Sequence, residues 1–422
     1  MGTVAIITEY NPFHNGHLYH LKKAKELSKA GSLIVIMNGN FVQRGEPALL
    51  DKWQRARMAL ANGADLVIEL PLIYGIRSAE YFARGAVTIM EKSNIVDSIV
   101  FGSELGKIEP LQEIARILVD HNQELQEKIQ EGLASGKSFP LARETALKSY
   151  LEANPDNVSF PVGELLAILS EPNNILAIEY LKSLREIQSA ITPYTIKRIG
   201  SGYHEKKLEG KYASATAIRE LVYKGEVDKI KAYLPEESYQ ILLNAIEQGL
   251  APADLDSFSL LLITSIRRLN IKKLGEFAEL DNGLERRIYR EAHHTADFKN
   301  LVQKIKTRAY TWTRIQRNLL HIFFNLREED FQLLDRCGPQ YIRVLGIRKE
   351  RTDLLSKLNE NASLPVIISP AAYLREIDLE SQDPLIKSLS YDILASDIYS
   401  LLYKNLACRQ GHLDFTKALI KY

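Results

Sequence analysis

Val4-Ala5-Ile6-Ile7-Thr8-Glu9-Tyr10-Asn11-Pro12-Phe13-His14-Asn15-Gly16-His17-Leu18-Tyr19-His20-Leu21 is the stretch on which the fold turns. Its apolar start, rich in β-branched residues, has the pattern of a buried strand, whereas Leu18, Leu21 and Ala24 recur at helical spacing. A strand that passes through a polar turn into a helix is half of a βαβ unit, and in an open α/β sheet that turn borders the ligand crevice. A helix start offers free N–H groups and the positive end of the helix dipole, which together suit phosphate. Gly16 is expected to let the ligand approach the backbone. No Gly-Lys-Ser/Thr follows, so the lysine that grips β- and γ-phosphates in a Walker A loop is missing. Attack at an α-phosphate is therefore the natural expectation.

The same rhythm continues. A strand is expected over residues 33–37, a helix near 51–61, a strand over 65–70 closed by Pro71, a helix near 79–92 and a strand over 98–101 ending at Gly102. This predicts an α/β, doubly wound parallel sheet. Residues 110–153 turn polar and helical and read as an insertion (about 110–155) carried outside the sheet. The pattern resumes with a helix over 173–184 and a strand over 190–199. Beyond about residue 226, amphipathic helices are expected at 260–269, 283–292, 301–326 and from 341–347 onward. A short strand at 364–368 and a helix at 393–404 follow. The expectation is an α/β nucleotide-binding domain over 1–225 and a mainly helical domain over 226–422.

Bulk properties bound the function. With 422 residues, 45% of them hydrophobic, there is material for two or three packed units. A net charge of +1 gives no global polyanion signature, so a nucleic-acid partner must meet a local basic surface. Cys337 and Cys408 lie too far apart for a zinc knuckle or a redox dithiol, which fits a reduced compartment. The apolar run at residues 4–7 is far shorter than a secretory core or a membrane span, so a cytoplasmic, membrane-free protein is expected.

Two pairs of residues carry the chemistry. His14 and His17 flank Gly16 and would aim N–H donors at phosphate oxygens whose charge grows in the transition state, stabilising rather than attacking. Two other readings compete: His14, His17 and His20 as metal ligands on one helical face, or ordinary histidines at a helix start. Pro12 and Gly16 keep His14 in the loop, so no metal site is assigned. Later, Ala213-Ser214-Ala215-Thr216-Ala217-Ile218-Arg219 places Ser214 and Thr216 as N-cap types before Ile218, Leu221 and Val222. Arg219 adds a planar donor fork for a phosphate, although simple capping and a solvated charge would read the same way. Gly102, at a strand's end, would let a nucleotide lie against the backbone, or is a plain turn glycine.

His14-Asn15-Gly16-His17 resembles the HxGH signature of the nucleotidylyltransferase superfamily, and residues 213–219 resemble its ISSTxIR-like partner. Residues 9–21, Gly39-Asn40-Phe41-Val42-Gln43-Arg44-Gly45-Glu46-Pro47, residues 63–71, 172–176, 307–317 and 341–346 resemble the bacterial tRNA(Met) cytidine acetate ligase family. The resemblance spans almost the whole chain. It implies an enzyme that uses ATP to join acetate to the N4 amine of the wobble cytidine of elongator tRNA(Met), through acetyl-adenylate. It further implies ATP contacts at Ile7, Thr8, Glu9, Tyr10, Asn11, Pro12, Phe13, His14, Asn15, Gly16, His17, Leu18, Tyr19 and His20, at Gly102 and Asn173, and at Arg198 and Ile199. Ser214, Thr216 and Arg219 join that set through the second motif, and the choice between Asn173 and Asn174 stays open. A magnesium ion with ATP is chemically reasonable, yet no dense acidic motif dictates its ligands.

Residues 299–327 contain no acid, while Lys304, Lys306, Arg308, Arg314 and Arg317 interleave with Tyr310, Trp312 and His321. Cations that neutralise phosphates beside rings that stack on bases are what RNA favours, so this is the expected tRNA surface. An amphipathic core helix that happens to lack acids is the plainer alternative. Leu319, Leu320, Ile322, Phe323 and Phe324 are expected to face the core. Two rival functions remain at this stage, an adenylyltransferase for a small phosphate-bearing metabolite and a nucleotide-dependent RNA-binding protein without turnover.

Overall fold

The computed structural model describes residues 2–137, 139–169, 171–198, 212–280 and 283–422. Its strands are β1 (Thr3–Thr8), β2 (Ser32–Asn38), β3 (Phe41–Val42), β4 (Glu46–Pro47), β5 (Leu66–Leu70), β6 (Ser98–Ser103), β7 (Thr192–Lys197), β8 (Ile342–Ile347), β9 (Val366–Ile367) and β10 (Ile420–Lys421). Strands β3 and β4 form a small hairpin, and the other eight form one sheet.

The path β5-β2-β1-β6-β7 is parallel throughout, as the alternating strand and helix patterns require. Successive strands add on one side of β1 and then, from β6, on the other. The crevice of such a sheet opens at the carboxyl ends of β1 and β6, where the order reverses. Side-chain alternation divides the two faces. Val4, Ile6, Leu33, Val35, Met37 and Val67 pack with helices Asn15–Ser28, Lys52–Ala61 and Glu236–Glu247. Ala5, Ile34, Ile36, Leu66, Ile68 and Ile99 pack with Ala79–Ser93 and Pro172–Glu186. Every residue of β2 is buried, as a central strand covered on both faces must be.

The helical insertion comprises Glu109–Asp120, Asn122–Ala134 and Phe139–Ala153. Its first helix buries Leu111, Ile114 and Ile117 in the same core as Pro172–Glu186, so the insertion is packed onto the α/β layer.

Two expectations for the second half change. Residues 341–347 do not begin a helix. They form β8, which pairs antiparallel with β5 and carries β9 and β10 on its other side. Ile342, Val344 and Ile347 face one core and Leu345 the other, so the run is apolar on both sides and must be a covered strand. The carboxyl-terminal residues thus complete the sheet begun by the first seventy. Buried charges fasten that junction: Lys52 Nζ donates to Glu69 at 2.9 Å and to Asp414 at 2.8 Å, and Arg343 reaches Asp414 at 3.3 Å. All four side chains are buried, which pairing alone makes tolerable.

The run 301–326 is likewise two helices, Phe298–Ile305 and Trp312–Phe323. The break is built in side-chain hydrogen bonds. Arg287 donates to the carbonyls of Ile305 and Lys304 at 2.7 and 2.6 Å, satisfying the end of the first helix. Thr307 Oγ1 accepts the N–H groups of Ala309 and Tyr310 at 3.2 Å each and turns the chain into the second.

Candidate active site

The loop after β1 is anchored before it is functional. Tyr10, at φ 47°, and Phe13 are buried with ring centroids 4.6 Å apart, and Asn11 Oδ1 accepts the Leu49 N–H at 2.7 Å. From beneath, Arg55 donates to the carbonyls of Glu9 at 2.7 Å, Leu50 at 3.0 Å and also Gly39, binding three loops at the sheet's carboxyl edge. Sequence reading passed over Arg55. It lies within a run with Trp53, Ala56, Met58 and Ala59, all buried, and a charge at a buried position must be partnered.

His14 caps the helix Asn15–Ser28. Its Nδ1 accepts the Gly16 N–H at 3.0 Å, and His17 Nδ1 accepts the His14 N–H at 3.2 Å. Both Nδ1 atoms are acceptors, so each neutral ring carries its proton on Nε2. The two rings stack with centroids 3.8 Å apart. Burial in the crevice pushes the His14 pKa down to about 3, helped by the positive charges of Arg198 and Arg219. Burial also holds His17 well below its ordinary value, with His14 and Arg198 adding to the effect. The site therefore offers two uncharged Nε2–H donors. Gly16 serves this cap directly, since a Cβ there would lie 2.8 Å from His14 Cε1 and 3.0 Å from Nδ1.

His20 plays a different part. Its Nε2 donates to the Val100 carbonyl at 3.1 Å, joining the helix to β6, and burial lowers its pKa to about 4. Leu18 and Tyr19 are half-buried and pack against the core. Asn15 donates to the Ala232 carbonyl at 2.9 Å. Among the described residues no three His, Cys, Asp or Glu side chains converge as metal ligands.

The second motif meets the first. Ser214 Oγ accepts the Ala217 N–H at 3.2 Å and so caps helix Ala215–Tyr223, in the manner its sequence predicts. Arg219 then reaches across: Nη1 donates to the Asn11 carbonyl at 2.9 Å, while Nη2 lies 3.2 Å from Glu46 and 3.4 Å from Thr216 Oγ1. Glu9, half-buried beside this group, accepts the Gln43 N–H at 2.9 Å, and burial raises its pKa against the pull of Arg44. The 39–47 loop is thus tied to both motifs, through Glu46 and Gln43.

Gly102 and Arg198 also come together. A Cβ on Gly102 would lie 3.1 Å from Arg198 Cγ, so the glycine leaves room for the arginine stem. Asn174 is buried, with Oδ1 accepting the Glu104 and Leu105 N–H groups at 3.0 and 3.2 Å, whereas Asn173 is half-buried and donates to Glu104. Glu104 also accepts both backbone N–H groups, at 3.2 and 2.8 Å, and caps that helix. Asn173 is the one of the pair left near the surface. Ile199 lies outside the described residues.

On the basic segment, Lys304, Lys306 and Arg308 are exposed, and Arg314 and Arg317 are half-buried, Arg314 lying 5.4 Å from the centroid of the buried Tyr310 ring. His321 does not belong to this surface. It is fully buried, its ring nitrogens 3.2 Å from the carbonyls of Ala278 and Ile76. Leu319, Leu320, Ile322 and Phe324 are buried as expected. The helix backbone packs on the 39–47 loop: Gly45, at φ 85°, approaches so closely that a Cβ would lie 2.5 Å from Arg317 N.

Comparison with known proteins places this geometry. Residues 1–414 match the family described as HIGH Nucleotidyl Transferase. A tRNA(Met) cytidine acetate ligase of Halothermothrix orenii is 48% identical over 421 residues, covering all of both chains. The enzyme of the same name from Thermoanaerobacter sp. is 42% identical, again over both full lengths. Thermotoga maritima TmcAL, in a crystal structure bound with alpha-thio ATP, is 36% identical with a TM-score of 0.92, covering 100% of this chain and 99% of that one. Its apo form gives a TM-score of 0.94 at 35% identity and the same coverage.

Proposed function

Because the chain belongs to the HIGH nucleotidyl transferase family and, within it, to the tRNA(Met) cytidine acetate ligases, we propose that it uses ATP to acetylate N4 of the wobble cytidine in elongator tRNA(Met). The observation that carries this reading is the hydrogen bond from Arg219 to the Asn11 carbonyl, which draws the second motif onto the loop bearing both Nε2–H donors.

In the first step an acetate oxygen attacks the α-phosphorus of ATP, the bond to the β-phosphate oxygen breaks, and pyrophosphate leaves. Acetate is already ionised near pH 7, so no general base is needed. His14 and His17 donate to the oxygens on which charge accumulates. Because they enter as neutral donors, they lose nothing to protonation and stay fixed by their Nδ1 caps. In the second step the cytidine amine attacks the acetyl carbonyl, AMP departs with the bonding pair, and the amine gives up a proton to solvent. ATP is the nucleotide proposed, in line with the alpha-thio ATP in the Thermotoga maritima structure. A magnesium ion accompanying ATP would neutralise charge on the phosphates; among the described residues no three His, Cys, Asp or Glu side chains converge to hold it.

Lys304, Lys306, Arg308, Arg314 and Arg317 supply the cationic surface for the tRNA, beside the crevice through the Gly45 contact. The decisive assay incubates the protein with ATP, radiolabelled acetate and elongator tRNA(Met) and separates the nucleosides. Label in N4-acetylcytidine is the expected result. Unlabelled tRNA with intact protein and ATP overturns the reading.

A further inference from the structure

We propose that the open depression at the start of helix Trp312–Phe323 is a nucleotide-stacking site, where one unpaired base of the RNA substrate lies on the Trp312 ring and Lys306 and Arg308 hold its phosphates. The depression, of about 570 Å³, is lined by Lys306, Thr307, Arg308, Thr311 and Trp312.

Three observations converge on it. Trp312 is half-buried and lines an open surface, whereas the chain's other tryptophan, Trp53, is 5% exposed. Lys306 and Arg308 are exposed, and among the described residues neither head group has a hydrogen-bonded or ion-paired partner. Neighbouring arginines are engaged, Arg287 on two carbonyls and Arg314 over Tyr310. Finally, the loop is preformed by Arg287 and by the Thr307 hydroxyl, so a ligand would not have to order it. An aromatic face beside two unneutralised cations, in a stretch without acids, matches the mixed apolar and anionic character of a single-stranded nucleotide. A purely anionic ligand would leave the ring without a partner.

The location fits the same substrate. Trp312 lies roughly 7.5 Å along the helix axis from Arg317, whose backbone packs on Gly45, and Glu46 next to it meets Arg219. An unpaired strand presenting its cytidine to the crevice would pass over this flank. The site rests on the function proposed above for the identity of the RNA, but its test does not depend on turnover.

The test is a titration of intrinsic tryptophan fluorescence with the anticodon stem-loop of elongator tRNA(Met), with inorganic polyphosphate and polyglutamate as probes of charge alone. Quenching by the RNA and not by the other two is expected. Trp312→Phe should keep a weaker stack and lose the quenching, while Trp312→Leu, checked for an unchanged melting temperature, should raise the KM for tRNA about tenfold. Lys306→Ala with Arg308→Ala should weaken binding and flatten its salt dependence. Equal quenching by polyphosphate or polyglutamate overturns base stacking, as does RNA binding that leaves the fluorescence unchanged. If tRNA is acetylated normally by Trp312→Leu, the stacking site alone is wrong. If the wild-type protein acetylates nothing, the enzymatic reading falls and the titration still decides the site.

Discussion

Arg219 donates to the Asn11 carbonyl at 2.9 Å, closing a 208-residue separation with one charge-assisted hydrogen bond. Its other arm lies 3.2 Å from Glu46, so one guanidinium fixes the first loop, the hairpin and the second motif relative to one another. A lysine cannot span these positions, because its single head group lacks the planar fork. Arg219→Ala is expected to lower acetate-dependent pyrophosphate exchange into ATP by about ten- to a hundredfold, the loss of one charged hydrogen bond at ~1.5–3 kcal/mol. Arg219→Lys should recover little of it, and wild-type exchange in either variant would remove Arg219 from the site.

The neutral state of His14 and His17 gives two outcomes. Replacing either by Ala removes a donor proposed to face the α-phosphate and should lower kcat by roughly 10²–10³. Since the His14 pKa is held at about 3 and that of His17 is also far below normal, neither ring titrates near neutrality in the fold. The exchange rate should therefore show no histidine step as pH falls through about 6.5. Stability behaves otherwise. The unfolded chain binds the protons that these rings refuse, so their contribution is fully present above the ordinary histidine value and is lost as pH falls towards about 3. Urea midpoints measured down that range should fall less steeply for His14→Gln than for the wild type.

Gly16→Ala tests the cap rather than the ligand. The added methyl meets the His14 ring at 2.8 Å, so the imidazole must turn away from the Gly16 N–H and from the crevice. The lost cap costs ~0.5–2 kcal/mol, while Ala gains close to 1 kcal/mol over Gly within a helix. The melting temperature should barely move, and exchange activity should fall at least about tenfold. A fully active variant would mean that the ring's position does not matter.

Lys52→Met probes the joint between the chain's two ends. It leaves buried Glu69 without its cation and buried Asp414 with Arg343 alone, at 3.3 Å. Urea unfolding should show a loss of about 3–5 kcal/mol, partly recovered when Glu69→Gln and Asp414→Asn are added. No loss would show that the buried network is dispensable.

The parallel sheet and the first loop were legible because their information is local. A strand, a polar turn with Pro12 and Gly16, and a helix announce themselves within eighteen residues, and Ser214 marks its helix by a capping rule that the structure obeys. What failed to show depends on distant partners. Ile342 to Ile347 pairs with a strand some 275 positions earlier, and an apolar run of that length reads equally well as a helix turn until a neighbour is known. His321 looked like part of a basic face. Its helix is buried on nearly all sides from Ile315 to Ile322, and two backbone carbonyls satisfy its ring, neither of which sequence spacing reveals. Arg55 and Glu104 went unremarked for the same reason, since each acts on loops that only the fold brings near.

In the proposed reaction two helix starts gather around one triphosphate and present its α-phosphorus to acetate. Exchange of ³²P-labelled pyrophosphate into ATP, followed with and without acetate, reports on that arrangement. The predicted result is label in ATP that requires acetate and disappears in His17→Ala. Exchange that ignores acetate, or that only a phosphorylated metabolite can drive, would contradict the account.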